Sequence, residues 1–552
     1  MSLPLIALLF LSFILMAYHL YGSWIEKKLS IQNQTPTTAH TLKDDQDFVP
    51  TPPFYLFGQH FSAIAAAGPI AGPIIACQTF GWLPCLLWIA LGVVFIGAVH
   101  DFASLTASVK HKGSSIAEMV MEHMGTGAGR AMMFFIWITL VYVIVAFSDI
   151  TASGFVSVIE ELQGSALSFN AGGAVAGASL LYLLLAMIMG LLHRYLKPNL
   201  WVSTLVFVPA IFAIAWIGPH ISHIFLLPVQ IWIILILLYC AIASLLPVWL
   251  LLQPRGYLGG FVLYFALLMG IIGIFFGGYE IQQPFFKTWD SGTTTGALFP
   301  FLFVTIACGA CSGFHGLVCS GTTSKQIDRE SHMKPVGYGA MLAEGFVAFM
   351  ALAIIMITAS AQTQGLKPGT IYGNGIGRFL TLIIGEQNLP FAITFGAMAF
   401  STFVFDTIDV ATRLGRYLVQ EVTGLKNKTG AILGTVLTAG LPALILLSAP
   451  QTGWQKFWIL FGSANQLLAA LTLLFITVWL KQQGKHYWFT LLPMLFVLVI
   501  TLWSLLKLAY VNFSEMQGLD VFLMNGVVAT GLILLAIYLV IKASFLGKSS
   551  HL

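Results

Sequence analysis

The sequence predicts an all-α integral membrane protein of about 15 transmembrane helices, built on two inverted repeats of five helices, each opened by a discontinuous helix. Three observations carry this. Of 552 residues, 58% are hydrophobic and only 8% charged, against about 25% charged in soluble domains. Apolar windows long enough to cross a bilayer recur along the whole chain. Glycine-rich breaks interrupt two of these windows, at matching positions in runs that point in opposite directions.

The windows cover residues 3–22, 57–79, 83–106, 131–150, 173–192, 200–218, 229–250 and 258–279. They continue through 297–318, 336–360, 389–408, 430–448, 457–480, 488–508 and 522–541. The first, "MSLPLIALLFLSFILMAYHLYGSW", lacks a basic leader and a small-x-small cleavage site, so it reads as an uncleaved span. With this count, loops after odd-numbered helices hold 20 of the 25 Lys and Arg, Lys27, Lys110, Arg194, Arg255, Lys325 and Arg413 among them. The other side holds Lys287, Lys367, Arg378, Lys456 and Lys507. Positive residues concentrate on the cytoplasmic side, which puts the N-terminus outside and the C-terminus inside. The organisation follows: 1–56, a first helix and cytoplasmic loop; 57–218, the first repeat; 219–296, two connecting helices; 297–480, the second repeat; 481–552, two final helices.

Between the spans, "GSSIAEMVMEHMG" places Ile116, Met119, Val120 and Met124 on one face, as an amphipathic surface helix requires. Residues 370–388 are expected to hold a short external lid-like helix, and 23–56 a polar loop. All six cysteines lie in or beside apolar runs, so no disulfide framework is expected. Cys308 and Cys311 form a C-x-x-C, open to a packing or a redox/metal reading. No phosphate-binding loop, H-E-x-x-H or dinucleotide fingerprint occurs, which argues against an ATP-driven pump and the common hydrolases.

The breaks carry the functional reading. "FSAIAAAGPIAGPIIACQTFGWLP" holds Gly68-Pro69 and Gly72-Pro73. A proline inside a helix costs roughly 3 kcal/mol, and hydrocarbon offers no water to the freed carbonyl. "FPFLFVTIACGACSGFHGLVCSGTTSKQ" is thinned by Gly309, Gly313, Gly316 and Gly321, with Ser312 and His315 interleaved. A broken helix presents amide donors at one new end and carbonyl acceptors at the other. Half-helix N-termini near Gly72 and Gly313 suit a carboxylate, and unwound carbonyls suit a cation. A kinked packing helix is the alternative.

An ionisable side chain at mid-membrane costs roughly 3 kcal/mol, so each is a candidate. His60 precedes the first break and His315 lies in the second; either can carry a proton near neutral pH or donate to a carboxylate. His100 and Asp101 are expected near the cytoplasmic end of their helix, where solvation makes a structural role sufficient. In "AFSTFVFDTIDVATRLGRYLVQE", Asp409 and Arg413 have the spacing of an intrahelical ion pair. Asp406 is the candidate for protonation, with Ser401 and Thr402 as hydroxyl ligands.

"GQHFSAIAAAGPIAGP", "GAVHDF", "CGACSGFHGLVCSGTTSKQ" and "DVATRLGRYLVQE" resemble the carbon starvation protein A (CstA) family, from about Asp47 to at least Gly424 and more weakly beyond. The resemblance implies a secondary transporter, not an enzyme, taking up peptides or pyruvate under carbon limitation in symport with a proton. It also implies a leucine-transporter-like (LeuT-type) inverted repeat in a bacterial plasma membrane, with no cofactor and no nucleic-acid partner. At family level an N-terminal region reaches about residue 384 and a five-helix region follows. The chain departs from the family pattern at Gln59, at His100, where many members have Gln, and at Cys311. The rival readings are an ion channel or ion-only transporter of the same fold, and a membrane redox enzyme or sensor using Cys308, Cys311 and His315. Metal-carrying relatives of the fold use Asp-Pro-Gly at the first break, which Gly68-Pro69 lacks. A redox enzyme or sensor would need a second ligand cluster or output domain.

Overall fold

The structure, a computed structural model, describes residues 2–32, 36–44, 47–156, 169–293, 295–425, 427–448, 454–518 and 520–546. Lys426 and Lys548, counted in the charge pattern, lie outside the described residues. Among the described residues, 12 helices are long and apolar enough to cross a membrane, and a bent pair, Pro53–Ile64 and Gly68–Phe80, raises this to 13. Two expected spans differ. Residues 229–250 form a 17-residue helix, Val229–Leu245, and 297–318 form two half-helices, Leu298–Thr305 and Gly313–Gly321.

The chain divides into two compact units, with divisions inside the helices Thr126–Phe155 and Ala340–Met356. One unit comprises 5–139, 284–349 and 455–552 and contains both broken helices. The segment expected as a polar loop over 23–56 opens with the helix Ser23–Lys28 and is tied down by long-range hydrogen bonds. The Thr37 hydroxyl donates to the Ile327 carbonyl at 2.5 Å. The Gln32 amide donates to Glu330 at 2.8 Å, and Lys110 pairs with the same carboxylate at 2.5 Å. The amphipathic helix forms as Ile116–Met124, opened by a reciprocal Ser115/Glu118 capping box. Ile116, Met119, Val120 and Met124 are all buried.

The other unit comprises 1–4, 140–283 and 350–454. The expected short lid is here a full helix, Pro368–Ile384, with Tyr372, Ile376 and Phe379 buried. It lies so close to Leu389–Thr423 that a methyl group on Gly373 would come within 2.8 Å of the Ala397 Cβ. Small residues permit such backbone approach in membrane helices.

Arg255, taken from the sequence as a loop charge, is wholly buried within Leu252–Phe276. Its Nε donates to Asp406 at 2.6 Å, and its Nη1 to Asp409 and, at 2.7 Å, to the Tyr239 hydroxyl. Tyr239 in turn donates to Asp409 at 2.7 Å. The expected Asp409–Arg413 pair does not form: Arg413 donates to the carbonyls of Ala243 and Leu246 at 2.7 and 2.8 Å. Those carbonyls end Val229–Leu245 and have no further helical turn to receive from.

Candidate functional site

The first break differs in detail from the expected one. The helix stops at Ile64, unwinds over 65–67 and restarts at Gly68, four residues before Gly72. Pro69 then stands in the first turn, where its missing N–H costs nothing; Pro73 lies inside the new half-helix. Gly72 serves close approach instead. A methyl group there would lie 2.6 Å from the Thr305 carbonyl oxygen, and the Gly309 position comes within 3.4 Å of the Pro69 Cα. The two breaks therefore lie against each other.

At the second break the half-helix starts at Gly313, as expected, with Ser312 at its cap position. Side chains satisfy much of the opened backbone. Trp458 donates to the Thr305 carbonyl at 3.1 Å, Gln466 to that of Phe303 at 3.0 Å, and Trp88 to that of Ile306 at 3.3 Å. Asn465 accepts the Phe314 amide at 2.9 Å and donates to Ser312 at 3.0 Å. A freed backbone group in hydrocarbon costs several kcal/mol, and these donors remove much of that cost. All six cysteines are free thiols; Cys308 accepts from Asn465 at 3.4 Å.

His315, on the first turn of this half-helix, belongs to a buried polar cluster. Asp101 is fully buried and accepts from two imidazoles, His100 Nδ1 at 2.7 Å and His315 Nδ1 at 3.0 Å. The other ring nitrogen of His315 lies 3.3 Å from the buried Glu344 carboxyl. The sequence placed His100 and Asp101 at a solvated helix end. Their helix instead continues to Lys110, so Asp101 sits about 13 Å in from that end at 1.5 Å per residue. Neither Nε2 of His315 nor the Glu344 oxygens has a hydrogen-bond partner, so the cluster can hold one proton in two ways: as an imidazolium between two carboxylates, or on the Glu344 carboxyl beside a neutral His315. Asp101 orients the ring in both, as a carboxylate orients a metal-bound or catalytic imidazole.

The remaining candidates fall elsewhere. His60 is buried, its Nδ1 2.9 Å from the Thr323 hydroxyl. Ser401 exchanges a 2.6 Å hydrogen bond with Ser179 and, with Thr151, Asn374 and Phe400, lines a partly open pocket. The Thr402 hydroxyl is buried without a hydrogen-bond partner. Asp406 and Asp409 are engaged by Arg255. Sequence reasoning missed Glu344, a lone acid inside the apolar run "GYGAMLAEGFVAFMALAII"; that isolation was the available signal. Asn465 gave none.

Many apolar helices, two of them broken beside buried ionisable groups, define a class: a multi-pass helical membrane transporter. The chain belongs to the carbon starvation protein CstA family, whose profile, described as "Carbon starvation protein CstA", matches residues 1–373 and 355–504. A peptide transporter CstA of Bacillus subtilis is 34% identical, covering 96% of this chain and 94% of its own. One from Campylobacter jejuni is also 34% identical, over 89% and 78%. The pyruvate/proton symporter BtsT of Escherichia coli is 32% identical, over 91% and 81%. Among solved structures, a manganese transporter from Eremococcus coleocola shares the fold, with a TM-score of 0.50 at 13% identity over 92% of this chain and 99% of that one.

Proposed function

We propose that this protein is a proton-coupled symporter that carries a peptide or pyruvate inward across a bacterial plasma membrane under carbon limitation. The carrying observation is the Asp101–His315–Glu344 cluster, which joins a buried proton-holding group to the first turn of a broken helix. Substrate binds where the two breaks meet, with Gly68, Pro69, Gly72 and Pro73 on one side and Ser312, Gly313 and His315 on the other; His60 borders this region. The scaffold is a LeuT-type pair of inverted repeats, 57–218 and 297–480, within the five-part organisation described above, its N-terminus outside and its C-terminus cytoplasmic. Two observations support it: the broken helices touch, and adding the bent pair, the 17-residue helix and the two half-helices brings the 12 long helices to 15 spans.

One observation favours a second location for the coupling proton. Asp406 keeps 24% of its side chain exposed although it is ion-paired, and Ser401, Thr402 and Asp409 lie nearby on the same helix. Asp406→Asn tests this reading: a flattened pH profile of uptake would support it, and an unchanged profile leaves coupling with the His315 cluster.

Uptake into proteoliposomes, with pH gradient and potential imposed separately, tests the function. One pH unit drives a proton with about 1.4 kcal/mol, and 100 mV drives one charge with about 2.3 kcal/mol. Pyruvate with one proton is electroneutral and should accumulate on the pH gradient alone. A zwitterionic dipeptide with one proton should also respond to an inside-negative potential. Accumulation of neither under either gradient would overturn the reading.

The contact between the breaks makes a further prediction. Gly72→Leu pushes a side chain into the Thr305 carbonyl, and Gly313→Leu into the Asn465 carbonyl, 2.5 Å from its built Cβ. Overpacking of this kind costs about 1–3 kcal/mol. Both variants should insert normally and lose uptake; normal uptake by both would exclude the meeting point of the breaks as the binding site.

A further inference from the structure

Away from the broken helices, in the same compact unit, His111, Glu122 and His123 bring their ligand atoms within 4.8 Å of one another. His111 is the residue that closes the helix Ala98–Lys110, and Glu122 and His123 lie in the last turn of Ile116–Met124. Both imidazoles are half-buried and Glu122 is exposed.

The hydrogen bonds set the state of both rings. His111 Nδ1 is 2.7 Å from the Ala107 carbonyl oxygen. A carbonyl only accepts, so Nδ1 carries the hydrogen and Nε2 has the free lone pair. His123 Nδ1 is 3.0 Å from Gln482 Oε1, which assigns its ring the same way. The two Nε2 atoms then face each other at 2.8 Å. Between two neutral rings this would oppose lone pair to lone pair. Something positive belongs between them, and the Glu122 carboxylate adds a third donor with negative charge.

We propose that His111, His123 and Glu122 form a binding site for a divalent transition-metal cation, of which Zn²⁺ is the best match. Two imidazoles and a carboxylate are a familiar zinc donor set, with the fourth tetrahedral position left to water. Metal-bound histidines characteristically donate their other ring N–H to a carbonyl or similar acceptor, as the Ala107 carbonyl and Gln482 arrange here. Zn–N bonds of about 2.0–2.1 Å in a tetrahedron place the nitrogens about 3.3 Å apart, so binding opens the pair by about 0.5 Å. His111 caps one helix and Glu122 and His123 lie in the last turn of another, so small side-chain rotations supply that shift. The bound ion fastens three elements: Ala98–Lys110, which carries Asp101; the surface helix Ile116–Met124; and, through Gln482, the end of Trp454–Gln482, which carries Asn465.

The test uses the full chain in detergent, with no polyhistidine tag, stripped with EDTA. Zinc content after dialysis is measured by mass spectrometry, affinity by competition with a chromophoric chelator, and geometry from the visible absorption of bound Co²⁺. The expected result is one ion per chain with a tetrahedral cobalt spectrum. His111→Ala with His123→Ala should weaken binding by about 100-fold or more, and Gln482→Leu by about 10–100-fold. Glu122→Gln, a change at an exposed side chain, should fold normally and bind about tenfold more weakly, which covers failure of the histidine variants to fold. Substoichiometric zinc in the wild type would overturn the site and leave a proton shared between the rings. Glu122→Gln and Gln482→Leu both binding as tightly as wild type would overturn it as well.

Discussion

An Asp101→Asn variant should reach the membrane in normal amounts and fail to concentrate substrate on a proton gradient. The carboxylate receives one imidazole on each oxygen. An Asn side chain offers one acceptor and one donor, so it can hold only one of the two Nδ1–H groups and repels the other. It also removes the negative charge that stabilises an imidazolium at His315. The expected loss of gradient-driven uptake is roughly 100-fold, the lower end of what removing a positioned proton-transfer group costs. Substrate exchange between two equal pools requires no net proton movement and should survive better than accumulation. Glu344→Gln should separate the two still more clearly: exchange retained, pH dependence lost. Equal loss of exchange and accumulation in both variants would make the cluster structural, and full accumulation would remove it from coupling.

The second large effect concerns stability. Arg255→Leu should lower the unfolding free energy of the purified protein by about 3–5 kcal/mol, because it leaves the buried Asp409 and the largely covered Asp406 without their counter-charge. Combining it with Asp406→Asn and Asp409→Asn should recover part of the loss, since the stranded charges disappear with their partner. The measurement is resistance to SDS or heat in detergent for the single and triple variants. A triple variant no more stable than the single one would mean that packing of the arginine stem, rather than charge, accounts for the effect. A single variant as stable as wild type would show that the acids find other partners or take up protons on their own.

The helices were legible in the sequence because hydropathy is a local signal and the bilayer demands it over a fixed length. The helices Ala171–Tyr195, Lys428–Ser448 and Val521–Leu546 differ by a few residues at their ends from the windows 173–192, 430–448 and 522–541. The amphipathic face of Ile116–Met124 was equally local. Partnerships across the chain were not legible. Asp101 and His315 are 214 positions apart and Arg255 and Asp406 are 151 apart, and no spacing rule connects them. The one ion pair that a spacing rule did suggest, Asp409 with Arg413, lost to Arg255, because a tertiary neighbour with buried geometry outcompetes an i,i+4 partner that can reach free carbonyls instead. The first break was located to within a turn. Its start was displaced because both Gly-Pro pairs look like helix openings in sequence, and only the neighbouring Thr305 carbonyl shows that Gly72 is there for clearance.

The side chains that dress the second break also set an order of events while the protein is being made. Thr305 leaves the ribosome 153 residues before Trp458, the indole that hydrogen-bonds its carbonyl. At about 5–20 residues per second, that is a wait of roughly 8–30 s. Half-helices of 8 and 9 residues extend only about 12–14 Å each, too short to span a bilayer alone. During the wait Trp88 is already available to the Ile306 carbonyl, but the Thr305 carbonyl must find its hydrogen bond in the insertion machinery or at the water interface. Its final seat becomes available only when the helix Trp454–Gln482 arrives, so the break is among the last parts of the membrane domain to be completed.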